Sequence, residues 1–96
     1  MATDTAGTGS YAMATDLDLL KRYASDGDGL AFAQLATRHR DMVYRTCYRV
    51  LGNSADAEDA AQESFVALAR SAGRVSTSVT GWLHRVAART SRALIE

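Results

Sequence analysis

GLAFAQLATRHRDMVYRTCYRVL, residues 29–51, is the stretch on which the fold turns. Phe32, Leu35, Ala36, His39, Met42, Val43, Thr46, Cys47 and Val50 recur at spacings of three and four. That is the period of one face of an α-helix, and it predicts a long helix with a continuous buried stripe. Asp28 stands where a helix-capping side chain is needed, and Gly52 can take the left-handed conformation that stops a helix. Arg38, Arg45 and Arg49 fall off the stripe, and Asp41 stands four residues before Arg45 in the favourable acid-then-base order.

Working outward, the same signals predict three more helices. Thr15 or Asp16 can cap a short first helix whose Leu17, Leu20 and Ala24 share a face, and Asp26-Gly27 ends it. Asn53 or Ser54 can cap a third helix over roughly 54–70, with Ala61, Phe65, Leu68, Ala69 and Ala72 as its apolar side. Its acids fall in the first turns, where the helix dipole favours negative charge. Residues 71–79, SAGRVSTSV, have loop composition, and Thr80 can cap a fourth helix over about 81–95 with Trp82, Leu83, Val86 and Ala87 inward. Residues 1–15 are small and polar with no period and are expected to form a flexible tail before a single domain over 16–96. The expected fold class is all-α: a compact helical bundle of three main helices plus a short N-terminal one. The absence of proline and the scarcity of valine and isoleucine agree with that class.

Composition narrows the function. The chain has 96 residues, 47% of them hydrophobic and 23% charged, the balance of a soluble globular domain. No apolar run approaches the roughly 18 residues of a membrane span, and the start lacks a secretory signal. The one cysteine, Cys47, excludes an internal disulfide. The expected compartment is the cytoplasm.

Basic and acidic residues balance at 11 each, yet they are segregated. Residues 1–37 carry a net −3, residues 38–49 a net +3, residues 53–63 a net −4 and residues 70–92 a net +5. Blocks of opposite sign in a neutral chain imply two faces for two different partners.

Nothing points to catalysis or a cofactor. His39 and His84 have no cysteine or carboxylate at metal-ligand spacing, and no glycine loop is built to cradle phosphate. His39 and Cys47 read as packing residues on the stripe, and Trp82 as a core anchor. Two features carry more information. Ala57-Glu58-Asp59-Ala60-Ala61-Gln62-Glu63-Ser64-Phe65 sets carboxylates and an amide beside an alanine and phenylalanine seam. Further on, a polar loop feeds Trp82-Leu83-His84-Arg85-Val86-Ala87, with Arg85, Arg89 and Arg92 spaced four and three apart on one face. An arginine row beside a polar loop suits a phosphate backbone with unstacked bases.

These blocks, in this order and spacing, resemble region 2 of bacterial RNA polymerase sigma factors, specifically the extracytoplasmic-function (ECF) group. The likeness covers about residues 16–93 and rests on the string ending in Phe65 followed by the Trp-Leu-x-Arg-x-Ala motif. It implies a helical domain whose acidic helix docks on the clamp helices of the polymerase beta-prime subunit. By motif match that surface is Glu58, Asp59, Gln62 and Glu63, with Phe65 holding the helix to the core. It implies further that Arg74, Ser76, Thr77, Ser78 and Thr80 of the loop, with Arg85, Arg89 and Arg92, recognise and melt the −10 promoter element on its non-template strand. Arg89 stands where many members of the group carry asparagine. An anti-sigma factor is a further implied partner. The family's second domain, which reads the −35 element, is not found in these residues. Either these residues are an excised domain or the protein is a short one-module relative, and a lone domain of this kind would carry the polymerase and −10 contacts only. The competing reading is a helical protein-interaction module that binds a regulator or itself without DNA.

Overall fold

A computed structural model describes residues 11–96. After a helical turn over 11–13, four helices follow: α1 (Asp16–Asp26), α2 (Gly29–Leu51), α3 (Ser54–Arg70) and α4 (Val79–Ile95). The described residues contain no strand. The all-α bundle with a short first helix stands as expected, and α2 keeps the bounds its periodicity gave.

Each boundary has a chemical cause. Thr15 opens α1 with a reciprocal box: its Oγ1 accepts from the Asp18 N–H at 3.1 Å, and Asp18 accepts from the Thr15 N–H at 3.3 Å. Gly27 closes α1 at φ 66° and Gly52 closes α2 at φ 74°, left-handed positions that glycine takes without steric cost. Asn53 opens α3 by accepting from the Asp56 N–H at 2.9 Å, and its own amide donates to the Asp56 carboxylate at 2.8 Å.

The long α2 is the hub, packed against each of the other three, while α3 and α4 also pack on one another. Leu19 and Leu20 of α1, Leu35, Val43 and Cys47 of α2, Leu68 of α3 and Leu83 and Ala87 of α4 are wholly buried. Phe32, Met42, Phe65 and Trp82 were expected at the centre and instead pack half-buried against it. In α1 the buried pair is Leu19 and Leu20; Leu17 is half-buried and Ala24 exposed.

The third helix departs most from expectation. Its buried face is Ala57, Ala60, Ser64 and Leu68, a rotation away from the expected Ala61–Phe65 side. Small side chains let α3 approach α2 and α4 closely, whereas Phe65 is too bulky for that seam and lies at its edge. Ser64 is buried at no polar cost because its hydroxyl donates to the Ala60 carbonyl at 2.8 Å.

A second buried hydroxyl is not so served. Ser91 Oγ in α4 is buried and has no hydrogen-bond partner. An unmade buried hydrogen bond costs about 1–3 kcal/mol. Ser91→Ala is therefore expected to raise stability by about 1 kcal/mol, or a few degrees in Tm for a domain of this size. A fall in Tm would show that the hydroxyl has a partner after all.

Residues 1–10 of the expected tail lie outside the described residues, whereas 11–15 are tied to the bundle. The Tyr11 hydroxyl donates to both Asp28 carboxylate oxygens, at 3.0 and 2.8 Å. Arg38 donates to the Tyr11 and Ala12 carbonyls at 2.7 and 3.3 Å. Asp28 also caps α2, accepting from the Ala31 N–H at 3.2 Å. The Tyr11 hydroxyl and the helix N–H groups hold the Asp28 carboxyl below its usual value, and the same hydrogen bond pushes Tyr11 above its own. The docking contribution of Asp28 is thus present above its unfolded pKa of about 3.9 and lost as pH falls through the lower folded one. Tyr11 works in the opposite sense, contributing below its usual value and losing its hold as pH rises through the higher folded one. Tyr11→Phe is expected to return the Asp28 titration toward the ordinary carboxylate range and to speed amide exchange over 11–15. An unmoved Asp28 titration by carboxyl NMR would break this account.

Candidate functional site

Two separate surfaces hold the residues singled out in the sequence. The first is the outer side of α3. Glu58, Asp59, Gln62 and Glu63 are all exposed there, at spacings of one, three and four that keep them on one side of the helix. None of the three carboxylates has an ion-pair partner among the described residues, where Asp16 pairs with Arg38 at 3.2 Å and is hydrogen-bonded to His39 Nε2 at 2.8 Å. His39 therefore does more than pack: its Nε2 ties α2 to α1 through the same carboxylate that Arg38 holds.

Beside the acids runs a cleft of about 540 Å³ between α2 and α3. Ala36, Arg40, Asp41 and Tyr44 form its α2 wall, and Glu58, Ala61, Gln62 and Phe65 its α3 wall. Phe65 thus has two surfaces, one packed on the core and one facing the cleft. Sequence reasoning assigned it only the first, set Asp41 only against Arg45, and gave Arg40 and Tyr44 no place in a site. A signal for them exists: Ala36, Arg40 and Tyr44 repeat every four residues on α2, opposite the Ala61–Phe65 step of α3.

The second surface starts where α3 ends. Ser71 to Arg74 form a turn closed by the Arg74 N–H on the Ser71 carbonyl at 2.8 Å. Buried Ala72 and half-buried Val75 pin this segment to the bundle, and Arg74, Ser76 and Thr77 are exposed beyond those anchors. The cap of α4 is Ser78, which accepts from the Gly81 N–H at 3.0 Å, so the helix begins at Val79 and Thr80 is an exposed residue of its first turn. The expected Thr80 cap is corrected on this point. Burial of Val79 decides between the two hydroxyl residues, because starting the helix there turns Val79 into the core.

Arg85, Arg89 and Arg92 are exposed along α4. Like Arg70 and Arg74, they have no carboxylate within ion-pair distance among the described residues. The Arg85 guanidinium leans back over the first turn of α4, where a Cβ added at Gly81 would meet its Nη1 at 3.5 Å. Glycine leaves that arginine room to lie close to the loop. Such an array offers strong donors to anionic oxygens.

Among the described residues, no three His, Cys, Asp or Glu side chains gather to hold a metal ion. No helix among them is long and apolar enough to cross a membrane.

Comparison with known proteins gives these surfaces a family. Residues 35–95 match the family described as Sigma-70 region 2. The chain is 44% identical over 54 residues to the ECF RNA polymerase sigma factor SigE of Mycolicibacterium smegmatis, a match over 55% of this chain and 21% of that protein. It is 38% identical over 63 residues to the ECF RNA polymerase sigma factor SigW of Bacillus subtilis, over 64% of this chain and 34% of that protein. Against the ECF RNA polymerase sigma factor SigM of Mycobacterium tuberculosis, identity is 35% over 82 residues, 83% of this chain and 41% of that protein. The chain thus spans well under half the length of these relatives. The matched segment takes in the acidic face of α3, the polar loop and the arginines of α4. On this footing the chain belongs to the Sigma-70 region 2 family, in the company of the ECF sigma factors.

Proposed function

We propose that this chain is the region 2 domain of a sigma factor acting in transcription initiation, and that it is not an enzyme. In this reading Glu58, Asp59, Gln62 and Glu63 dock on the beta-prime clamp helices of the RNA polymerase core. Arg74, Ser76, Thr77, Ser78 and Thr80, with Arg85, Arg89 and Arg92, recognise and open the −10 promoter element through its non-template strand. An anti-sigma factor would compete for the same surfaces.

One observation carries the reading: the unpaired acids and the unpaired arginines occupy separate elements of one rigid bundle. A merely solvated surface gains from mixing its charges, whereas segregated charges gain only when partners of opposite sign arrive. The chain has no net charge, so its own grip on DNA is weak at physiological salt and gains from being held beside it. Docking on polymerase supplies that proximity as effective concentration.

The mechanism follows from the two parts of the second surface. Arginines along α4 pair with phosphates and set the position of the strand, while the exposed loop hydroxyls meet a base that has left the stack. Extruding a base costs a few kcal/mol, which the loop contacts offset.

The test is binding of fluorescent −10 DNA to the chain assembled with polymerase core. Single-stranded DNA is expected to bind more tightly than its duplex, with affinity falling as salt rises. Arg85→Ala should weaken binding to all sequences and flatten the log–log salt slope by about 0.7, the share of one phosphate contact on a single strand. Thr77→Ala should alter base preference and leave the slope alone. Unchanged affinity and slope in Arg85→Ala would remove DNA from this face and leave only protein interaction.

A further inference from the structure

The basic block of α2 takes no part in the function proposed above. Arg38 is engaged by Asp16, but Arg45 and Arg49 are exposed and have no ion pair among the described residues. They alternate with two tyrosines in Tyr44-Arg45-Thr46-Cys47-Tyr48-Arg49. Thr46 and Cys47 are buried, Arg45, Tyr48 and Arg49 stand outward, and Tyr44 is half-buried against the core one turn below Tyr48. The Tyr44 and Tyr48 rings stack with centroids 6.0 Å apart and planes 24° apart, and Tyr48 is 46% exposed. A shallow recess runs between the four side chains.

A solvated helix face gains little from this arrangement. Like charges four residues apart repel, and an exposed aromatic ring orders water without compensation. Asp41, one turn before Arg45, offsets only part of the positive charge. Both costs turn into gains against an anionic chain with flat apolar faces. Bases stack on tyrosine without regard to sequence, and arginines one helical turn apart, about 6 Å along the axis, can pair with successive phosphates. An acidic peptide would satisfy the arginines but offers no planar group for Tyr48.

We propose that Tyr44, Arg45, Tyr48 and Arg49 form a second, sequence-tolerant contact for single-stranded DNA, on α2 and distinct from the loop and α4. It does not rest on the −10 reading. The ridge borders the cleft between α2 and α3, since Tyr44 lines both. An opened strand would therefore run past the edge of the acidic face.

The experiment uses the full chain and a fluorescent oligothymidylate, which lacks promoter sequence, with binding followed by anisotropy across a salt series. Arg74→Ala/Arg85→Ala/Arg89→Ala/Arg92→Ala, all exposed positions, silences the loop and α4 face. In that background oligothymidylate is expected to bind still, and adding Tyr48→Ala to weaken it about tenfold. Tyr48→Phe should restore it, because the ring rather than the hydroxyl does the stacking. Arg45→Ala/Arg49→Ala should lower the salt slope by about 1.4, two phosphate contacts. All these side chains are exposed, so circular dichroism should be unchanged. The proposal is overturned if the α4 variant abolishes binding by itself, or if Tyr48→Ala leaves affinity and slope untouched. It is also overturned if a polyglutamate peptide occupies the ridge more tightly than the oligonucleotide, which would mark a protein partner. If the α4 variant has no effect on −10 DNA while Tyr48→Ala does, the −10 reading fails and this one stands.

Discussion

Leu83→Ala should take about 3–5 kcal/mol from the stability of this domain. Leu83 is wholly buried in α4, on the face packed against the core. Removing its isobutyl group forfeits the transfer energy of the lost carbons and leaves a cavity that the surrounding helices can only partly close. A domain of this length has about 5–14 kcal/mol in hand, so the variant comes close to unfolding at ambient temperature. Urea titration reads the result as a lower midpoint at unchanged slope. A loss under about 1 kcal/mol would mean that α4 is not seated as described. Because α4 also presents Arg85, Arg89 and Arg92, the variant should lose DNA contacts in proportion to the fraction unfolded rather than by any local effect.

Asp59→Arg should do the reverse, sparing the fold and removing the partner. The side chain is exposed and has no ion-pair partner among the described residues, so the unfolding free energy should stay within about 0.5 kcal/mol of the parent. If α3 docks on a basic helix of polymerase, the new arginine sets like charge against like. A penalty of about 2–3 kcal/mol, or roughly 30–150-fold in Kd, is the expected size. Surface plasmon resonance with a beta-prime clamp-helix fragment measures it. Wild-type affinity in a folded Asp59→Arg would clear α3 of that role.

The sequence revealed most where side-chain chemistry is distinctive. The helix from Phe32 to Val50 sets large apolar groups on one face and arginines off it, so its period stands out and α2 is found with its ends in place. Gly27 and Gly52 mark their turns because few other residues take positive φ. Along α3 the signal fades. Alanine occupies positions 55, 57, 60, 61, 67 and 69, and as it is neither strongly apolar nor polar, pattern alone cannot say which of these face inward. Attention went to Phe65 as the largest apolar group, whereas the seam selected the smallest. The α4 cap was missed for a related reason: Ser76, Ser78 and Thr80 are equivalent as capping side chains, and burial of Val79 settles the choice. The cleft between α2 and α3 needed the relative placement of two helices, which no local pattern contains. The exposed residues fared better. Glu58, Asp59, Gln62 and Glu63 on α3 and Arg85, Arg89 and Arg92 on α4 are exposed as their spacing implied.

The narrow seam under α3 bears on how such a domain can change over time. Ala57, Ala60 and Ser64 have almost no rotamers to lose, so fixing this helix to the bundle costs little side-chain entropy. The polar, rotamer-rich side chains Glu58, Asp59, Gln62 and Glu63 are exposed and take no part in that seam. Replacing them alters whom the helix meets and leaves the helix where it is. Partner choice can therefore drift at nearly constant stability, while a single added methylene at Ala57 or Ala60 would push the helix off its bed.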